Sequence, residues 1–204
     1  MGYPNLRQEK KLRRSGFCYI AGLDEAGKGA WAGPIVAGAV ILDPKIKIKG
    51  IKDSKLLRRP QREELFEIIT NSVIGWAAGI ISEKIIDEMG IVKANTMAME
   101  EAIKGLKIPP DFLLIDAIKL PNLNTPSLSV IDGDYKITSV AAASIIAKVT
   151  RDRIMEELSE KYPQYGFLHH KGYGTNFHYQ MLCQYGATDI HRKSFEPIKY
   201  FLNQ

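Results

Sequence analysis

The chain has 204 residues, 45% of them apolar and 25% charged, and carries a net charge of +5. That length suits one domain with a sizeable hydrophobic core, and no apolar run approaches the roughly 18 residues that a membrane span requires. The start, Met1-Gly2-Tyr3-Pro4 and then a basic stretch, lacks the apolar segment of a secretory signal, so a cytoplasmic protein with no membrane contact is expected. The two cysteines, Cys18 and Cys183, are far apart and fit no zinc spacing. The positive balance favours an anionic partner, and its distribution says more than its total. Lys45, Lys47, Lys49, Lys52, Lys55, Arg58 and Arg59 fall within fifteen residues, and Lys10, Lys11, Arg13 and Arg14 form a second group. Both groups can grip phosphates. The alternation Lys-Ile-Lys-Ile-Lys over 45–49 reads equally well as a half-exposed edge segment.

Residues 17–23 read as a buried strand and 34–42 as a second, rich in valine, isoleucine and alanine. The connection between them, 24–33, is too long and too rich in glycine for a two-residue hairpin turn. Pro60 opens a helix through residue 70, and 72–82 reads as a third strand. A short helix over 83–89 and a longer one over 92–106 follow, the latter stopped by Pro109-Pro110. Residues 112–115 form a short buried strand ending at Asp116, and 127–131 form a weaker one. A long helical pattern covers 139–162, with further helices over 176–185 and 196–201. Strands first, then alternating helices and strands, imply an α/β protein with a mixed sheet covered by helices. No repeat or low-complexity tract interrupts the chain.

The acids stand in unusual places. Asp24-Glu25 follows an apolar strand directly, where charge is expensive. Adjacent strand residues point to opposite sides, so both can serve one site only if the backbone turns or one offers its main-chain carbonyl. Asp116 repeats the pattern at the C-terminal end of a strand, where open α/β sheets place their sites. Asp134, in Asp132-Gly133-Asp134, stands just before the long Ala-rich helix. Taken singly, Asp132 or Asp134 is better read as a turn or helix-cap residue. Taken together, converging carboxylates repel one another unless a cation neutralises them, and oxygen ligands select magnesium or manganese. Two such ions about 3.5–4 Å apart can activate a water and stabilise the leaving oxygen of a phosphodiester. A competing motif fails at the same place. Gly22 to Lys28 fits seven positions of a phosphate-binding P-loop, but Gly29 replaces the serine or threonine that ligates magnesium, and two acids fall inside the loop.

The segment Gly22-Leu23-Asp24-Glu25-Ala26-Gly27-Lys28-Gly29 with Ala32-Gly33-Pro34 resembles the opening signature of the ribonuclease HII family. Asp53-Ser54-Lys55, Leu114-Ile115-Asp116 and Gly133-Asp134 resemble further motifs of that family in the same order. So do residues 142–152, His170-Lys171-Gly172-Tyr173-Gly174-Thr175 and His191-Arg192-Lys193-Ser194-Phe195. The resemblance spans about residues 18–197. It implies an RNase H-like fold: a mixed five-stranded sheet flanked by helices, about residues 17–162, with a small helical C-terminal extension over about 163–204. It implies Asp24, Glu25, Asp116 and Asp134 as catalytic acids and ligands of two Mg2+ or Mn2+ ions. It also implies Tyr173 as the residue that packs on the sugar beside a single ribonucleotide, and the amides of Gly27, Lys28 and Gly29 as partners of the 2′-hydroxyl and phosphate.

Lys55, Lys148 and Lys171 are candidate phosphate contacts, and Ser144 a further substrate contact. An ion pair of Lys148 with Asp152, one helical turn on, explains Lys148 equally well, and close helix packing explains Ser144. Lys28 stands where the family usually has arginine, keeping the charge but not the forked geometry. A lysine there is also found in ribonuclease HIII. The absence of that relative's extra N-terminal domain favours type HII. The activity implied is endonucleolytic cleavage of RNA in RNA–DNA hybrids and 5′ to single ribonucleotides in duplex DNA, leaving 3′-hydroxyl and 5′-phosphate ends. That activity serves ribonucleotide excision and primer removal by a monomer, with docking on a replication clamp left open. A binding-only module of this fold would have lost an acid, and a resolvase or integrase would not explain Tyr173 in its setting. The segment Tyr200-Phe201-Leu202 reads as the last turn of a packed helix rather than a partner peptide.

Overall fold

A computed structural model describes residues 3–120 and 123–202. Five strands form one mixed sheet in the order β3-β2-β1-β4-β5: β1 (Ile20–Ala26), β2 (Ile35–Ile41), β3 (Gly75–Ile81), β4 (Phe112–Asp116) and β5 (Ser127–Val130). Strands β1, β2 and β3 pair antiparallel, with a helix in the connection from β2 to β3, while β4 and β5 join through crossovers and run parallel to β1. This is the mixed sheet that the strand order implies. Helices α2 (Arg59–Ser72), α3 (Glu83–Met89), α4 (Ile91–Lys104) and α6 (Thr138–Lys161) cover it.

Strand periodicity divides the core. Ala21 and Leu23 face α4, with Ala94, Ala98 and Met99 in one buried cluster. Ile20 faces the other side, where Val140 of α6 packs. The backbone of α6 lies directly on the sheet, because Gly22 and Gly38 have no side chain to hold it off. A Cβ at Gly22 would strike the main chain of Ser139, and one at Gly38 the carbonyl of Ala143. Gly38 is also the ladder partner of Asp24, so this close approach fixes the height of α6 above that acid.

Several elements differ from expectation. Strand β1 runs on to Ala26, because pairing of Asp24, Glu25 and Ala26 with Gly38, Ala37 and Val36 uses main-chain groups only. The connection is therefore 27–34, and both acids lie within the ladder. The basic group at the N-terminus is a helix, α1 (Arg7–Arg14), whose single buried residue is Glu9. Glu9 Oε1 accepts the Ser139 amide at 2.9 Å, so α1 caps the start of α6. Helices α5 (Gly133–Lys136) and α7 (Phe167–His170) are too short to leave a period in the sequence. The helix expected over 196–201 is a 3-10 turn, Ile198–Phe201, with Phe201 packed edge-on against Tyr179. Among the described residues no helix is long and apolar enough to cross a membrane.

The C-terminal elements, including α8 (Asn176–Tyr185), enclose two histidines, His178 and His191. The Thr188 amide donates to His191 Nδ1 at 3.0 Å, which leaves the His191 proton on Nε2, facing His178 Nε2 at 3.0 Å. His178 then carries its own proton on Nδ1 and donates it to the Tyr173 carbonyl at 3.0 Å. Both rings are fully buried. Burial pushes His178 down to about 4 and, with the neighbouring His178, pushes His191 down to about 3.

Two outcomes test this packing. Gly38→Ala is expected to lower stability by about 3 kcal/mol, the upper end of ordinary overpacking, since it meets backbone rather than a movable side chain. Urea unfolding should show a lower midpoint at unchanged slope. The ring resonances of His178 and His191 should remain those of neutral imidazole down to about pH 5. Because both folded values lie below the ordinary histidine value, their stabilisation is complete above about pH 6.5 and is lost as pH falls toward about 4 and about 3. Titration of either ring near pH 6.5 would rule out the neutral pair.

Candidate active site

Strand β1 delivers two acids to one end of the sheet on opposite faces. Asp24 lies on the α6 side and is buried, with its Oδ1 accepting the Glu25 amide at 2.7 Å. Glu25 continues the Ala21, Leu23 series toward α4, where Asn95 favours its charged form, and among the described residues its buried Oε2 has no partner at hydrogen-bond geometry. The backbone does not turn between them. They meet electrostatically because both stand near the strand's end.

Asp116 ends β4, next to β1. The parallel register pairs Leu23 with Ile115, which sets Asp116 alongside Asp24. Its Oδ1 accepts the Gly133 amide at 2.6 Å, a bond that ties β4 to the turn carrying Asp134. Asp134 is buried in α5 at the foot of α6. Asp132, by contrast, is the turn residue ahead of α5, with a positive φ of 55° and a side chain 3.9 Å from Lys136.

The electrostatics of this group are those of crowded, dry carboxylates. Burial raises Asp24 well above the usual carboxylate range, and Glu25, Asp116 and Asp134 push it further. Burial likewise raises Glu25 and Asp116. Asp134 is pushed up to about 6 by burial and then by Asp53 and Asp116. Each acid thus resists ionisation through burial and the repulsion of a nearby carboxylate, a condition that a cation relieves; for Asp116 that repulsion comes from Asp132 and Asp53. Among the described residues no three His, Cys, Asp or Glu side chains are close enough to enclose a metal ion unaided.

A cleft beside the acids is lined by Asp24, Glu25, Gly27, Lys28, Gly29, Ser54, Lys55, Lys148 and Tyr173. Most of the expected site residues therefore share one surface. Lys55 reaches over it, with its Nζ 3.8 Å from Asp134 Oδ2. Although burial opposes its charge, Asp53, Asp134, Asp24 and Asp116 together raise its pKa and keep it protonated. Lys28 Nζ stands 3.8 Å from Glu25 Oε1. Tyr173 is part-exposed, with its ring over the Arg151 guanidinium at 5.2 Å and near Lys148 Nζ at 5.9 Å.

Three expected contacts have other partners. Lys148 Nζ bonds Asp152 Oδ1 at 2.7 Å, the ion pair that its spacing suggests, although it still borders the cleft. Ser144 is buried, donating to the Ala141 carbonyl at 2.9 Å and accepting the Ser54 amide at 3.3 Å. It supports the Asp53-Ser54-Lys55 turn from beneath. Lys171 is buried, and its ammonium bonds Glu156 at 2.8 Å and the Leu168 carbonyl at 2.9 Å.

One residue of this site is legible in the sequence only within a motif of the resemblance, not as a site acid. Asp53 is buried, its Oδ1 accepts the Lys55 amide at 2.9 Å, and its Oδ2 has no partner. It acts directly on Asp134 and Lys55. In the sequence it looks like an ordinary turn acid in a basic, exposed segment; only its unusual run with Ser54 and Lys55 signals it.

Comparisons with known proteins agree with this geometry. The sequence model described as ribonuclease HII matches residues 21–198. A protein of Desulfitobacterium hafniense named ribonuclease HII is 48% identical over 198 residues, covering 97% of this chain and 76% of its own length. The crystal structure of the ribonuclease H2 from Pyrococcus horikoshii superposes with a TM-score of 0.77 at 31% identity, over 90% of this chain and 97% of that one. The structure of the PCNA:RNase HII complex from Archaeoglobus fulgidus gives 0.67 at 29% identity, over 82% and 87%. With the family match, the identities and the sheet in accord, the chain belongs to the ribonuclease HII family of hydrolases and carries ribonuclease H function.

Proposed function

We propose that this enzyme cuts the RNA strand of RNA–DNA hybrids, and cuts 5′ to a single ribonucleotide embedded in duplex DNA, leaving 5′-phosphate and 3′-hydroxyl ends. The observation that carries the reading is the convergence of Asp24, Glu25, Asp116 and Asp134, each raised by burial and by its neighbours, beside a cleft that Tyr173 borders. An all-oxygen donor set with a buried, unpartnered Glu25 Oε2 fits magnesium or manganese, not zinc. Two such ions would supply Lewis-acid stabilisation of charge at the scissile phosphodiester.

The chain's own residues do the rest. Asp24 and Asp116, held by the Glu25 and Gly133 amides, present fixed oxygens on the α6 side of the sheet. Glu25 presents its carboxylate from the α4 side, so the acids bracket the end of β1. Lys55, charged and reaching over Asp134, attracts the phosphate backbone. The Tyr173 ring offers a flat face to a ribose, the one part of an embedded ribonucleotide that differs from its neighbours. Lys28, Gly29 and Gly27 contribute amides at the same cleft, and Lys148 a second cation. Ser144 and Lys171 act through the turns they support rather than on substrate.

Removal of misincorporated ribonucleotides and of RNA primers, by a cytoplasmic monomer folded as one domain, follows from that substrate range. Docking on a replication clamp through residues 200–202 requires release of Phe201 from Tyr179, since Phe201 is buried there.

The test is cleavage of a DNA duplex carrying one ribonucleotide, in magnesium. Asp24→Asn should lose more than the roughly 10- to 100-fold typical of an outer-shell partner of a metal site. Tyr173→Ala should weaken cutting at the single ribonucleotide more than cutting of a long hybrid. If the wild type cuts only the long hybrid, the junction reading is wrong and a type HIII-like range replaces it. Chelation of divalent ions should abolish both activities, and their survival in chelator would remove the metal from the mechanism.

A further inference from the structure

Two guanidiniums lie fully buried behind the cleft, and among the described residues neither has an ion-pair partner. Arg151 of α6 donates from Nε to the Pro34 carbonyl at 2.9 Å, from Nη1 to Lys171 at 2.9 Å and from Nη2 to Ala32 at 3.1 Å. Arg192 donates from Nε to the Gly33 carbonyl at 3.0 Å and from Nη1 to Lys28 at 3.0 Å, while its Nη2 is buried with no partner. Acids do act on them from a distance: Asp152 on Arg151, Asp87 and Glu83 on Arg192. Burying such charge without a partner is costly, and structural arginines ordinarily meet a carboxylate. Here the partners are the carbonyls of one loop.

The consequence for residues 27–34 is a sorting of its polar groups. Besides the four carbonyls held by the guanidiniums, that of Trp31 accepts the Arg192 amide at 2.8 Å and that of Gly27 accepts the Ala30 amide at 3.2 Å. The amides of Trp31 and Ala32 are spent on the Gly172 carbonyl, and that of Gly33 on Ile190. Those of Gly27, Lys28 and Gly29 have no partner among the described residues, and all three residues line the cleft. Gly27 takes a φ of 94°, a left-handed geometry that starts the turn. The same arginines flank Tyr173, whose ring lies over Arg151 and whose carbonyl is held by His178.

We propose that Arg151 and Arg192 are positioning residues for substrate discrimination: by holding the carbonyls of 27–34 inward, they aim its free amides and the Tyr173 ring at the ribose and phosphate of a single ribonucleotide. This rests on the junction reading above. Their unpaired charge also leaves a positive field beneath the loop, which an anionic phosphodiester completes. Neither residue touches substrate. Lysine cannot replace either one, because a single ammonium does not span two or three carbonyls in a fixed fork.

The experiment compares wild type, Arg192→Lys and Arg192→Ala on two substrates, a long RNA–DNA hybrid and a duplex with one ribonucleotide, in magnesium, with methylguanidinium added to the alanine variant. In both variants the ratio of single-ribonucleotide to hybrid cleavage should fall at least tenfold, mostly in kcat. Methylguanidinium should recover that ratio in Arg192→Ala. In substrate-free Arg192→Lys, amide resonances of Lys28 and Gly29 should shift while those of Leu23 and Ile35 stay. A ratio equal to the wild type's, with both rates falling only as far as the folded fraction falls, would overturn the proposal and leave Arg192 a structural residue. Should the alanine variant not fold, the lysine variant's ratio and amide shifts decide alone. A wild type that cuts the hybrid but never the single ribonucleotide would overturn the junction reading first, and this proposal with it.

Discussion

The arrangement depends on the cost of holding carboxylates close together away from water. Asp24, Asp116 and Asp134 come from β1, β4 and the turn before α6; Asp116 raises the pKa of both others, and Asp134 that of Asp24. Nothing in local propensity would place them so; each sits where an apolar side chain would be more stable. The rest of the fold holds that cluster in place. Gly22 and Gly38 let α6 descend onto the sheet, Glu9 and the Gly133 amide fix the helix start and the turn before it, and the Asp53 turn lays Lys55 across the top. Stability is given up locally at the end of β1 and supplied by the two apolar faces of the sheet.

The connection from β1 to β2 separates two fields of opposite sign. On one side stand the acids, raised by mutual repulsion; on the other, Arg151 and Arg192, lowered by burial, with Arg192 brought to about 9 as Arg151 adds its own repulsion. Each field is incomplete by itself. The acids fit a cation and the arginines an anion, and a phosphodiester accompanied by divalent ions supplies both. Residues 27–34 lie at the boundary, with the carbonyls of Lys28, Ala32, Gly33 and Pro34 held by the guanidiniums and the amides of Gly27, Lys28 and Gly29 left at the cleft.

Much of this was legible in the chain. The strand order, the sheet type and most helix limits follow from periodicity and from proline and glycine positions, because those signals are local. Asp24, Glu25 and Asp116 could be picked out because charge at the end of an apolar strand is rare, whereas Asp134, alone, reads as a turn or helix-cap residue and enters only through the resemblance. What escaped depends on long-range placement. Glu9 reads as one acid among lysines and arginines, yet it faces inward to cap α6, 130 residues away. Asp53 reads as a turn residue until α5 brings Asp134 beside it. Lys171 looks like a free cation until the fold brings Glu156 to it, whereas the Asp152 partner of Lys148 is legible from its i, i+4 spacing. His178 lies in no motif that reasoning from spacing singles out, since its partner His191 is thirteen residues on and in another element.

The side chain and the main chain of Lys28 have different partners. Where the family usually has arginine, a lysine loses the forked donor set, which would matter if the side chain bound substrate through that fork. In this structure the side chain is half exposed and its Nζ is no closer than 3.8 Å to Glu25, while its carbonyl is gripped by Arg192 and its amide is free. The position thus contributes main-chain groups, which any residue supplies, oriented by an arginine 164 residues further along the chain. Replacing arginine by lysine there removes reach and forked hydrogen bonding but leaves the loop's orientation to Arg151 and Arg192. Discrimination between substrates then depends less on residue 28 than on the two buried guanidiniums behind it.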